Sequence, residues 1–102
     1  MKFMSKEKKE IEKMLKLIID YSATKLMAYA LEMYEKDDTP VAVGMEKVCL
    51  DTGLPLETFT EEIIWEIMYK IKVYNFVKEI SYDFEKTKLF YITFNFKKGG
   101  AI

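Results

Sequence analysis

The chain has 102 residues, half of them hydrophobic, and a formal net charge of −1. This length corresponds to one domain, and a charge so close to zero supplies no overall field that would attract nucleic acid. The sequence has no His and a single Cys, Cys49, which excludes an internal disulfide, the usual zinc ligand sets and a His general base. We therefore expect no enzyme activity, no cofactor and no metal site.

The single Cys is typical of proteins in a reducing compartment. Residues 1–4 lead into charged positions rather than an apolar run, so we expect no signal peptide. No segment approaches the roughly 20 apolar residues of a membrane span. These features predict a cytoplasmic protein without membrane contact. All 16 basic residues are Lys, a bias that fits either AT-rich coding or a thermophilic origin.

Residues 5–36 predict one long helix, because apolar side chains recur along them at helical spacing without Gly or Pro. Roughly 30 residues at 1.5 Å each give about 45 Å, longer than a domain of this size is wide. The apolar stripe is wider than one small sheet would cover. We therefore expect Ile11, Ile18 and Tyr29 to contact a second subunit, the alternative being a core helix with a frayed, Lys-rich start.

Short elements follow this helix. Val41 to Val43 predict an edge strand, consistent with the preceding Pro40. Residues 45–52 predict a helix, with Val48 and Cys49 facing inward. Gly53 suits the left-handed conformation that ends such a helix.

A third helix is expected over 56–74, where the spacing of Thr58 and Glu61 matches a capping box. It is apolar on nearly all sides, which is typical of a helix covered all round. Trp65 and Tyr69 lie off its main apolar face. They favour either an aromatic hot spot for a protein partner or, as more often happens, packing beneath the first helix.

The C-terminal part predicts a β-hairpin. Residues 76–84 and 89–96 alternate apolar and polar side chains, as half-buried strands do. Asn75 is a plausible left-handed residue at the end of the third helix. Residues 97–102 predict a flexible tail.

Two short motifs are similar to those of a known family. Residues 48–54 (VCLDTGL) look like the Ile-Ala-x-x-Thr-Gly-Leu end of a second helix, and residues 71–77 (IKVYNFV) look like Leu-x-x-x-Gly-Leu-Val with Asn75 in place of Gly. In this order, over residues 11–96, they resemble the winged helix-turn-helix family of small regulators. The fold implied is α+β, with a long N-terminal helix, two short helices and a hairpin wing. The interval after Gly53 is about one turn longer than is usual for that family.

The resemblance implies a DNA-binding transcriptional regulator that acts as a homodimer on double-stranded DNA, with phosphate contacts led by the wing. The residues placed to make these contacts are Lys86, Lys88, Lys78, Thr58 and Thr60.

The charge distribution favours a different function. Residues 32–69 carry two Lys and ten acidic residues, a net charge of −8. The third helix would therefore bring Glu57, Glu61 and Glu62 against DNA phosphates, and neither Arg nor Gln is present to read bases. The alternative is a protein–protein interaction module without nucleic-acid binding. Its interface candidates are Ile11, Ile18, Tyr29, Trp65 and Tyr69.

Overall fold

The computed structural model describes residues 5–35, 39–85 and 88–96. The elements in chain order are α1 (Ser5–Met33), β1 (Val41–Gly44), α2 (Met45–Thr52), a 3-10 turn (Leu56–Thr58), α3 (Glu61–Lys72), β2 (Val77–Tyr82) and β3 (Leu89–Phe94). The predicted α+β class, with a long N-terminal helix, two shorter helices and a C-terminal hairpin, is confirmed. The first helix ends at Met33, before the predicted end at Lys36, since Tyr34 and Glu35 are not helical. The wing residue Lys86 and the tail at 97–102 lie outside the described residues.

The three strands form one antiparallel sheet in the order β1-β3-β2. Strand β3 is therefore central, and β1 lies at an edge as its sequence predicted. Val43 pairs with Phe90, and Ile80 pairs with Ile92 across the hairpin. Burial of Phe90, Ile92 and Phe94 turns one face of β3 into the floor of the core. This arrangement is compatible with a winged helix.

The core lies between this sheet, α3 and the second half of α1. On α1 the buried residues run from Ser22 to Ala30 and include Ala23, Leu26 and Met27. Small side chains at several of these positions allow α3 and the sheet to approach the helix closely. Each fully buried Leu or Phe contributes on the order of 1.5–3 kcal/mol of transfer free energy. The start of α1 takes no part in this packing, since residues 5–17 are exposed throughout.

The sharp turn after α2 follows the sequence prediction. Gly53 has φ 72° and ψ 11°, the left-handed conformation, and its N–H donates to the carbonyl of Cys49 at 2.9 Å. The Thr52 hydroxyl donates to the Val48 carbonyl at 2.8 Å. These bonds satisfy carbonyls that the helix end would otherwise leave without partners.

The start of α3 corrects the prediction that Thr58 caps a helix over 56–74. Residues 56–58 form the 3-10 turn, and the cap is Thr60, whose hydroxyl oxygen accepts from the N–H of Ile63 at 3.4 Å. The helix begins at Glu61 and ends at Lys72. Thr58 belongs to the 3-10 turn, whereas Thr60 has the extended backbone that an N-cap residue needs.

The end of α3 corrects a second expectation. Among the described residues, positive φ occurs at Gly53 and Lys88, so Asn75 is not left-handed. The chain instead leaves the helix through turns in which Tyr74 N–H donates to the Ile71 carbonyl and Val77 N–H donates to the Tyr74 carbonyl. The chain therefore passes from α3 to β2 without a residue in the left-handed conformation.

The cap assignment makes a direct prediction for stability. Thr60→Ala should lower the free energy of unfolding by about 1 kcal/mol, because it leaves a helix N–H without its side-chain acceptor. Thr58→Ala should change stability by clearly less. Urea unfolding followed by circular dichroism measures both variants. The reverse order of the two losses would place the cap at Thr58.

Candidate functional site

The outward side of α3 carries bulky aromatic side chains in solvent. Trp65 is 54% exposed and Tyr69 is 70% exposed, so the expectation that they pack beneath the first helix is wrong. Glu62 and Glu66 are exposed beside them. We call these four residues the outward α3 face. The arrangement follows from helical periodicity, since Ile64, Ile67 and Ile71 occupy the buried side.

An apolar groove separates this face from the hairpin. Its volume is about 590 Å³ and it is lined by Trp65, Glu66, Met68, Tyr69, Lys72 and Ile80. We call it the α3–β2 groove. The Trp65 ring lies 5.8 Å from that of Phe84, which in turn contacts Tyr82 edge-on at 4.9 Å. Aromatic rings thus continue from α3 to the end of β2.

One hydrogen bond ties the far end of the groove together. Lys72 Nζ donates to the backbone carbonyl of Lys78 at 2.6 Å. The register of β2 against β3 shifts between Val77 and Glu79, so Lys78 lies at an irregularity of the ladder. A charged donor on this carbonyl protects the edge strand from pairing with another chain at that point.

A second depression lies on the other side of α3, where α1 crosses it. Glu12, Leu15, Lys16, Ile19, Glu66 and Lys70 line a space of about 350 Å³. An adjoining space of about 450 Å³ is lined by Leu15, Ile19, Glu62, Ile63, Trp65 and Glu66. We call the two together the α1–α3 groove. Lys70 Nζ pairs with the Asp20 carboxylate at 3.2 Å; both side chains are more than 40% exposed, so the pair adds little stability.

The structure describes four of the five candidate DNA-contact residues, Lys86 lying outside the described ranges. Thr60 is engaged in the α3 cap, and Thr58 is half-buried in the 3-10 turn. Lys78 lies on β2, whereas Lys88 lines a cavity of about 200 Å³ with Leu56, Glu57 and Phe59. Glu57 and Lys88 therefore line the same cavity. Lys88 is the wing lysine that the structure describes.

The candidate interface residues on α1 divide into two groups. Ile11 is 40% exposed and lies beyond the core. Ile18 and Tyr29 are half-buried and pack against it. Tyr29 also receives Lys47 Nζ over its ring at 5.3 Å, so it is engaged within the chain.

Two half-buried groups have raised pKa values. Burial raises the pKa of the Cys49 thiol above its usual range, and Glu57 and Glu46 raise it further. Burial likewise raises the pKa of the Tyr82 hydroxyl, with smaller effects from Cys49 and Asp83. A thiol in this setting stays protonated at neutral pH and is a poor nucleophile. Over the described ranges, no group of His, Cys, Asp and Glu side chains is arranged to hold a metal ion.

The sequence pattern identified Trp65 and Tyr69 but missed the residues that shape the grooves around them. Glu66 follows Glu62 by four residues, a spacing that places both on one helix face, and it could have been found in this way. Ile80 and Phe84 join the surface only through the packing of β2 against α3, which no local pattern encodes.

Comparisons with protein-family models, with curated proteins and with solved structures found no match to this chain. Within the part of the chain that the structure describes, no helix is long and apolar enough to cross a membrane.

The environment of Cys49 predicts its reactivity. Because its pKa is raised, iodoacetamide should alkylate the folded protein at pH 7 more slowly than it alkylates glutathione, and the rate should rise only in alkaline solution. Mass spectrometry of timed samples measures the rate, with the urea-unfolded chain as control. Alkylation of the folded protein as fast as that of the unfolded chain would show an accessible thiol whose pKa is not raised.

Proposed function

We propose that this chain is a winged-helix module that acts by binding another protein through the α3–β2 groove. The observation that carries the proposal is the exposure of Trp65 and Tyr69 on the helix that winged-helix proteins use for recognition. The element order α1-β1-α2-α3-β2-β3 and the strand order β1-β3-β2 support the fold assignment.

The aromatic side chains explain why a protein is the favoured partner. Exposed Trp and Tyr side chains gain no free energy from burial while they remain in water. They dominate the binding energy of protein interfaces when a partner covers them. Here they line an apolar groove together with Met68 and Ile80, and Phe84 extends the surface. Contiguous apolar surface with a polar rim is typical of an interaction site. Glu66 and Lys72 supply that rim on opposite sides.

The same helix is poorly suited to the major groove of DNA. Its exposed first turns present Glu61, Glu62 and Glu66, which would lie against phosphates and repel them. Its basic residues, Lys70 and Lys72, lie in the last turn, and each contacts another group of the protein: the Asp20 carboxylate and the Lys78 carbonyl. Insertion of this helix into DNA would bury negative charge without compensation.

The partner test uses the groove itself. A photo-reactive benzoylphenylalanine at position 69 should crosslink one host protein, and the purified partner should then bind the wild-type chain. Trp65→Ala and Tyr69→Ala should each weaken that binding by about tenfold or more, since both truncate central aromatic contacts. Titration calorimetry measures the dissociation constants.

Leu50→Ala is the matched control, because Leu50 is an apolar residue that is 83% exposed on α2, outside the groove. It should leave the affinity unchanged. Equal losses for all three variants, or no loss for Trp65→Ala and Tyr69→Ala, would reject the groove as the binding site.

A second candidate is a DNA-binding regulator with contacts led by the wing. The observation that favours it is the excess of Lys around the hairpin: residues 70–102 carry seven Lys and three acidic residues. In this case Lys78, Lys86 and Lys88 would contact phosphates, and α3 would remain outside the major groove of the DNA. Binding would be weak and would depend strongly on salt.

Fluorescence anisotropy with a mixed-sequence duplex separates the two candidates. A protein-binding module should show no DNA binding at low salt up to about 100 µM, the weak end of non-specific affinities. Binding that weakens when Lys86 and Lys88 are both changed to Ala would instead establish the regulator. A reduction by Lys47→Ala alone, on α2, would indicate only diffuse attraction.

A further inference from the structure

We propose that the partner of the α3–β2 groove binds as an extended peptide strand, which pairs with the outer edge of β2 and places alternate apolar side chains in the groove. It rests on the function proposed above, since it names the kind of protein segment that the groove takes. The backbone groups of Ile80 and Tyr82 that point away from the sheet form the site of pairing. We call them the open edge of β2.

The pairing of β2 with β3 shows which backbone groups of β2 point outward. Asp83 N–H donates to the carbonyl of Leu89 at 3.1 Å, so the backbone groups of Asp83 face β3. In an antiparallel ladder such residues alternate along the strand. Ser81 therefore also faces β3, whereas Ile80 and Tyr82 direct their N–H and C=O groups away from it.

The other side of β3 gives the same alternation. Met45 N–H donates to the carbonyl of Lys88 at 3.3 Å, which makes Val43 and Phe90 a hydrogen-bonded pair of β1 and β3. Phe90 thus directs its backbone groups to β1. It leaves none for Tyr82, the residue opposite it in β2.

The outer edge of β2 is closed where the strand begins and open farther along. The Lys78 carbonyl accepts from Lys72 Nζ, which closes the edge at the irregularity of the ladder. Within the described residues, the outward N–H and C=O groups of Ile80 and Tyr82 make no hydrogen bond. An added strand supplies matching acceptors and donors from its own backbone. A helix cannot do so, because its backbone groups bond to one another.

The apolar groove adjoins the open edge, and its spacing suits a strand. Ile80 lines the groove together with Trp65, Met68 and Tyr69. Trp65 and Tyr69 are four residues apart, about 6 Å along the helix axis. The side chains on one face of a strand repeat at a similar interval, about 6.6 Å. Successive inward side chains of an added strand would therefore meet successive turns of α3, and apolar ones would cover the exposed rings.

A second copy of β2 does not suit this site. Its inward side chains are Ile80 and Tyr82, which pack against the core of their own chain. The Tyr82 ring lies 4.5 Å from that of the buried Phe90. Side chains held in this way cannot fill the groove of a neighbour. The occupant is therefore a linear segment of another protein, whose inward side chains are free to enter the groove.

The charges at the two ends of the groove complete the description of this segment. Lys72 lies at the end where β2 begins, since it binds the Lys78 carbonyl. Glu66 lies beside Trp65, whose ring contacts Phe84 at the other end. An acidic side chain of the segment near Lys72 and a basic one near Glu66 would complement these charges.

The probes for the test are phage-displayed linear peptides of about ten residues, long enough for a strand of about five or six. Peptides selected on the wild-type chain and counter-selected on Trp65→Ala should carry apolar residues at alternate positions. Methylation of single backbone nitrogens in the tightest peptide should weaken binding by about tenfold or more at every second residue, since those N–H groups donate to β2. Methylation of the residues between them should have a clearly smaller effect. Titration calorimetry measures both.

Amide hydrogen exchange, followed by NMR, measures the same contact on the protein. In the free chain Ile80 and Tyr82 should exchange quickly, whereas Ser81, the control that faces β3, should be protected. Saturation with the selected peptide should slow exchange at Ile80 and Tyr82 by about tenfold or more and leave Ser81 unchanged. Protection of Ile80 and Tyr82 in the free chain would show an edge that is already paired, and overturns the proposal.

The other contrary results separate this proposal from the function proposed above. Selected peptides with apolar residues at helical spacing, or binding that methylation weakens without a period of two residues, overturn strand pairing but leave the groove as a protein-binding site. A selection that yields no peptide dependent on Trp65 also overturns strand pairing. Crosslinking from position 69 to a host protein decides the proposed function independently.

Discussion

The packing of α3 under the second half of α1 determines which side chains this protein shows to its surroundings. On α3 the side chains that enter the core with 1% exposure or less are those of Ile64, Ile67 and Ile71. Since successive helix residues are separated by 100°, this burial directs Trp65 and Tyr69 outward. The exposure of Trp65 and Tyr69 is thus a consequence of how α3 packs into the core.

The two grooves divide the outward α3 face into sides with different chemistry. Toward the hairpin, aromatic rings and Ile80 form an apolar surface, and Lys72 at its edge donates a hydrogen bond to the backbone of β2. Toward α1, the groove is lined by aliphatic residues and by charged residues of both signs, among them Glu62, Glu66, Lys16 and Lys70. The first side suits a protein partner with bulky apolar anchors. The two grooves share Trp65 and Glu66, so a molecule bound in one of them also contacts residues of the other.

Local signals explain what the sequence predicts well. The short helix at 45–52 and the strand before it follow from composition, and Gly53 is needed where the backbone takes φ 72°. The start of α3 is predicted at Thr58 from its capping-box spacing to Glu61, but Thr58 is the last residue of the 3-10 turn and Thr60 caps the helix. The buried residues of α1 include the small side chains of Ser22, Ala23 and Ala30, which a search for large apolar residues passes over. The exposure of Trp65 depends on where α1 lies, which is a property of the whole fold.

The accessibility of Trp65 is the most direct test of this account, because it is the one Trp of the chain and its fluorescence needs no label. The measurement is acrylamide quenching of the protein in dilute solution, in the folded state and in urea. The account predicts that Trp65 is quenched in the folded state nearly as readily as in urea, with little change of emission wavelength on unfolding. Strong protection and a blue-shifted emission that unfolding abolishes would show that Trp65 is buried, and would contradict the orientation of α3 on which both interaction surfaces depend.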